Sequence, residues 1–186
     1  MLNFIAKAHH FSRILAWVGG GLILASAALV TVEVLIRKFF GWSLAGADEI
    51  SGYAFGVATT LGFAFALFER AHIRVDALFL LLPRFLRVIL NLFGLALLVG
   101  FVAIITVMAW NMVGDTLKHG STSITPMRTP LAIPQIPWLA GWILFVVCGV
   151  LLFFGALFAT LTGNPDAADR LIGVKTLDEQ IEDEKA

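Results

Sequence analysis

The chain has 186 residues, 59% of them hydrophobic and only 14% charged, with a mean hydropathy of +0.91. A soluble domain runs near ~45–50% apolar and ~25% charged, so this composition exceeds what a small globular core hides and reads as a membrane protein. Thirteen basic and thirteen acidic side chains cancel, leaving no net field to draw in nucleic acid, and the single cysteine, Cys148, excludes an intrachain disulfide framework or a cysteine metal cluster.

Lipid offers no water to an unpaired backbone group, so the chain must cross it as helices of about 20 apolar residues for a hydrocarbon core of ~30 Å. Four stretches meet that length, at about 14–36, 50–69, 87–112 and 137–161. They predict an all-α integral membrane domain over residues 1–163. Lys7 and Arg13 precede the first span, and Ala45-Gly46-Ala47 follows it, as in a cleaved leader. A leader's apolar run spans only ~7–15 residues, so the longer run here reads as an uncleaved helix. Gly19-Gly20-Gly21 within it reads as a site of close packing. Glu33 precedes Arg37 by four positions, acid before base on one helix face. No second buried acid appears to make a relay, so the pair reads as a snorkelling anchor that fixes helix depth.

Asp48 and Glu49 stand at the start of the second span, where acids face the positive end of the helix dipole. Glu49 is the better candidate for a polar contact with a partner. Ala54, Ala58, Gly62 and Ala66 recur every four residues along this span, and Gly52 and Gly56 form a GxxxG on the next stripe. Small residues so spaced let backbones approach where lipid supplies no hydrophobic drive. The segment "ERAHIRVDALFLLLP", 69–83, then places Glu69, Arg70, His72, Arg74 and Asp76 between two apolar runs. Its alternation predicts a short amphipathic element along the interface, Ile73, Val75 and Leu78 in lipid and Arg74 and Asp76 in water.

The third connection carries Pro126, Pro130, Pro134 and Pro137 among several hydroxyls and predicts a fixed, non-helical cap, since each proline locks φ and removes a donor. Trp17, Trp42, Trp110, Trp138 and Trp142 fall near span ends and read as an aromatic anchoring belt. Residues 164–186 crowd Asp178, Glu179, Glu182, Asp183 and Glu184 near the end and read as a mobile acidic tail. Nine of the thirteen Lys and Arg residues fall in the N-terminal segment, the second connection and the tail. The positive-inside rule then places both termini in the cytoplasm. No HExxH, GxSxG or Walker A pattern occurs, His9 and His10 diverge on a helix, and His72 and His119 are predicted on opposite sides of the bilayer. Neither an enzyme nor a metal or cofactor site is expected, and no pair of interrupted helices marks a self-sufficient carrier.

Three motifs together resemble the small permease subunit of TRAP transporters, the tripartite ATP-independent periplasmic systems, in its DctQ-like family. In "LGFAFALFERAHIRVDALFLLLP", Gly62, His72, Ile73, Arg74, Val75, Asp76 and Pro83 stand at matching places. In "RKFFGWSLAGADEISGY", Arg37, Gly41, Ser43, Leu44, Glu49, Ser51 and Tyr53 fit, and in "TPLAIPQIPWLAG", Thr129, Pro130, Ile133, Pro134 and Gly141. Gly46 and Gly52 depart from it, since family members often carry Trp and a basic residue there. The resemblance covers about residues 10–160. It implies a bacterial inner-membrane heterocomplex in which a large permease subunit carries substrate and coupling ions, usually sodium, and a periplasmic substrate-binding protein delivers a small organic acid. This chain would then be a non-catalytic scaffold, touching partners and membrane lipid but no nucleic acid. Candidate contacts are Arg37, Asp48, Glu49, His72, Arg74 and Asp76, with Gly52, Gly56, Ala58 and Gly62 for close helix packing. The alternative is a free-standing four-helix protein acting as a small homo-oligomeric carrier or channel, for which only Glu33 supplies an ionisable ring.

Overall fold

The computed structural model describes residues 2–70, 83–163 and 165–173. Among them the regular structure is helical, with one isolated bridge between Thr122 and Pro130. The helices are α1 (Leu2–Phe40), α2 (Ala47–Phe68), α3 (Arg84–His119), α4 (Ala132–Leu161) and α5 (Pro165–Ile172). The first four are long and apolar enough to cross a membrane. Each outruns the apolar stretch that announces it. α1 has 39 residues, about 58 Å at 1.5 Å per residue, against a hydrocarbon core of ~30 Å. Helical hydrogen bonding continues past the apolar run because headgroups and water tolerate Lys7, His10 and Arg13 on the same helix. The predicted amphipathic element, with His72, Arg74 and Asp76, lies outside the described residues.

The four long helices do not close into a bundle. α2 packs between α1 and α4, α4 packs between α2 and α3, and α2 and α3 hardly touch. The order across the layer is therefore α1, α2, α4, α3. Glycines set the two inner approaches. A Cβ on Gly19 would stand 2.9 Å from the Ala58 carbonyl oxygen, and one on Gly141 would stand 2.5 Å from Thr60 Oγ1 and 2.7 Å from the Thr60 carbonyl carbon. Only hydrogen fits at these crossings, which is how helices gain van der Waals contact in lipid. Thr60, 2% exposed, keeps its hydroxyl satisfied by donating to the Val57 carbonyl at 3.0 Å.

Of the predicted packing stripe on α2, Ala58 makes this close approach. Gly52 and Gly62 have open space where a Cβ would stand, and Gly56 has Trp138 at ordinary contact distance, 3.9 Å. In the predicted glycine triplet, Gly19 is at the crossing, while Gly20 and Gly21 face open space. The tryptophan belt also divides. Trp17, Trp42 and Trp110 are exposed, as anchors are. Trp138 and Trp142 instead stack edge to face with ring centroids 6.1 Å apart, and Trp142 lies 5.1 Å from Phe63 of α2. The α2–α4 contact needs their bulk, which corrects the anchoring reading for these two.

The main core lies toward the end where α1 begins, hereafter the proximal end. Leu67, Val88, Leu95, Phe145, Cys148 and Leu152 meet there, joined by Ile5 of α1 and Ala168 and Ile172 of α5. Helix α5 thus extends the fold into the tail: Ala168 is fully buried and Ile172 is 4% exposed. The tail sequence gives this little weight because the eight-residue helix is polar on average, and only one narrow stripe is apolar.

Replacing Gly141 by Ala should cost about 1–3 kcal/mol, the usual effect of overpacking a close contact. Gly20→Ala, into open space, should stay within about 0.5 kcal/mol. Unfolding of both variants in detergent checks the pair, and equal effects would contradict the assigned crossing.

Candidate functional site

At the distal end, where α1 passes to α2 and α3 to α4, two carboxylates organise the connections. Glu33 sits about two turns before the end of α1 and is only 2% exposed. Its Oε1 accepts hydrogen bonds from Arg37 Nη2 at 3.1 Å and Ser43 Oγ at 2.7 Å, and its Oε2 accepts the Leu44 backbone N–H at 2.7 Å. Arg37, with a side chain 57% exposed, does reach outward. Glu33 does not, which corrects the snorkelling reading: the chain doubles back after Phe40 and brings Ser43 and Leu44 over the carboxylate. Hydrogen bonds to a charged group contribute about 1.5–3 kcal/mol each, enough to hold this six-residue turn against α1.

Gly46 closes that turn at φ 108°, a conformation L side chains rarely adopt. A Cβ there would also collide with Met127, its Sδ only 1.9 Å away. Met127 from the third connection therefore fills the space a larger residue at 46 would take. Helix α2 begins next, with Asp48 and Glu49 in its first turn but no side-chain cap hydrogen bond. Both acids suit the dipole by position, yet neither caps. Asp48 is exposed, and its carbonyl accepts Ser51 Oγ at 2.9 Å.

Glu49 spends its oxygens across the fold. Tyr53 OH donates to Oε1 at 2.8 Å, and Thr125 Oγ1 donates to Oε2. With its proton committed, Thr125 accepts from Ser123 Oγ at 2.7 Å, and Ser123 accepts the Thr129 N–H at 3.1 Å. The result is a directed chain from a backbone amide through two hydroxyls to a carboxylate, each bond polarising the next. Ser123 N–H to the Thr129 carbonyl at 2.9 Å and Leu131 N–H to Ser121 at 3.0 Å close the same loop. The third connection is thus a folded cap tied to α2 through Glu49.

Beneath the cap, the gap between α2 and α3 opens as a groove of about 200 Å³, lined by Gly52, Tyr53, Gly56, Met112, Gln135 and Trp138. The glycines give it depth. Its walls are almost wholly apolar, and Gln135 Oε1 is buried there without a hydrogen-bond partner.

The proximal end is fastened differently. His9 Nε2 lies 3.0 Å from Glu69 Oε1, and its ring rests on Phe68 at 5.3 Å and Phe65 at 6.0 Å. Arg70 Nη1 points to the Gly173 carbonyl at 3.5 Å, beyond α5. Among the described residues no three His, Cys, Asp or Glu side chains converge as metal ligands would.

The structure therefore brings Arg37 and Glu49 to one end with Asp48, each on a different contact, and sets Gly52 and Gly56 in the groove. Sequence reasoning did not identify Thr125, Ser123 or Met127 as partners. The Tyr53–Glu49 pair was available as an i,i+4 spacing, whereas Thr125 is 76 residues from Glu49 and leaves no local trace.

A sequence model of the family described as "Tripartite ATP-independent periplasmic transporters, DctQ component" matches residues 26–159. No curated protein and no solved structure matches the chain.

Thr125→Val should cost about 1.5–3 kcal/mol when Glu49 is present and clearly less in a Glu49→Gln background. A double-mutant cycle on unfolding in detergent reads the coupling. Additive costs would contradict the directed chain.

Proposed function

This chain belongs to the DctQ family, the small membrane component of TRAP transporters, and on that premise we propose that it is a non-catalytic scaffold for the large permease subunit. It takes part in ion-gradient-driven, sodium-coupled uptake of a small organic acid across the bacterial inner membrane. Both termini face the cytoplasm, so the distal cap faces the periplasm and the substrate-binding protein. Arg37, Asp48 and the Glu49-held loop are the surface offered to that protein, and His72, Arg74 and Asp76 lie on the cytoplasmic side.

One observation carries the reading. α2 and α3 flank α4 with little packing on each other, so a groove bearing Gly52 and Gly56, with Trp138 of α4 in its wall, is left open between them. A helix of a larger partner gains close contact there. Among the described residues, no three His, Cys, Asp or Glu side chains converge within the spans. A homo-oligomeric channel would need Glu33 at a shared axis, but Glu33 is buried and its oxygens accept three hydrogen bonds within its own chain.

Coexpressed with the large subunit, the chain should copurify with it, and proteoliposomes holding this chain alone should show no sodium-driven uptake. Gly56→Leu should lower copurification at least several-fold, while Gly20→Leu on α1 should not. Uptake by the isolated chain would overturn the proposal.

A further inference from the structure

The first and third connections meet at an apolar joint. Gly46, at φ 108°, presents a bare Cα to Met127, whose Sδ and Cγ lie where a Cβ would collide with them. Each connection is otherwise fastened on its own, the first by Glu33 and the third by Glu49. The thioether seats one against the other. Methionine suits such a place, because its unbranched, polarisable side chain fills an irregular gap.

The same sulfur is open to chemistry. Met127 is 43% exposed and lies outside the apolar spans, so a water-borne oxidant reaches this residue. Met108 and Met112 are also exposed, but they lie within the apolar span of α3, where hydrocarbon or detergent surrounds them. Hydrogen peroxide converts a thioether to a sulfoxide: a sulfur lone pair takes one peroxide oxygen, the S–O bond forms as the O–O bond breaks, and the peroxide is reduced to water as sulfur loses two electrons. The product is polar and its oxygen needs a donor. The backbone donors flanking the joint are already engaged, Leu44 N–H by Glu33, Ala47 N–H by the Leu44 carbonyl and Arg128 N–H by the Thr125 carbonyl. The sulfur abuts Gly46, which leaves no room for an oxygen between them. An oxidised Met127 therefore gains more from water than from the joint.

We propose that Met127 is a site of reversible oxidation by peroxide, and that its sulfoxide unseats the third connection from Gly46 while the hydrogen bonds to Glu33 and Glu49 persist. Sulfoxide reductases restore the thioether and with it the joint. The site is independent of the scaffold role.

The full-length chain in detergent, treated with hydrogen peroxide, tests it by peptide mass spectrometry and amide hydrogen exchange. Met127 should gain its oxygen several-fold faster than Met108 or Met112. Exchange across residues 41–47 should rise several-fold in step with it and fall again after reduction by sulfoxide reductases for both epimers. M127L, close to Met in volume, should match untreated wild type and show no rise after peroxide. M127Q, which places a polar group at the joint without any oxidant, should show the rise from the start. Oxidation of Met127 no faster than that of Met108 and Met112 overturns the site. Complete oxidation of Met127 with unchanged exchange at 41–47 overturns the unseating, as does wild-type exchange in M127Q or the same peroxide-induced rise in M127L.

Discussion

The fold depends on two places where a backbone approaches a backbone, Gly19 against Ala58 and Gly141 against Thr60. In lipid there is no hydrophobic gain from bringing apolar helices together, so contact distance decides which helices associate. Both crossings use α2, which is thereby committed on its two flanks to α1 and α4. α3 then joins mainly through α4, where Gly149 lets Val99 approach, and more lightly through α5. An open row follows from that distribution of small residues, and the uncovered face between α2 and α3 follows from the row.

Polar groups finish what the crossings begin, and they do so at the ends. Glu33 ties the first connection to α1 and Glu49 ties the third to α2. Each carboxylate oxygen accepts at least one hydrogen bond from its own chain, so both acids fasten their connections. At the proximal end the His9–Glu69 pair joins α1 to the exit of α2, with aromatic rings beneath the imidazole. The interior between these ends holds hydroxyls bonded to their own helices, such as Thr60 and Thr106. A row so built is tied by polar contacts at both ends, which suits an element that holds a neighbour in place.

Much of this was legible in the sequence. Four apolar runs gave four spans, because the bilayer imposes length and helicity on any chain that crosses it. Span ends were less legible, since interfaces accept charged helical turns such as those at Lys7 and Lys118. The small-residue pattern on α2 was visible, but a stripe does not state its partner: Ala58 met Gly19, while Gly52 and Gly62 met open space. Trp138 and Trp142 lie near a span end as anchors do, and only tertiary packing sets them against α2. Glu33 and Glu49 were recognised by charge and position, yet their donors come from residues up to 76 positions away. Helix α5 was hidden by the polarity of its other residues.

The central claim is that the α2–α3 face is open in this chain and covered in the assembled transporter. Single cysteines at Gly52 and Gly56, in a Cys148→Ala background, can be labelled with a membrane-permeant maleimide in the isolated chain and in its complex with the large subunit. The account predicts ready labelling in isolation and strong protection in the complex, with a cysteine at Gly20 labelled alike in both. Equal labelling of Gly52 and Gly56 in the two states would contradict it.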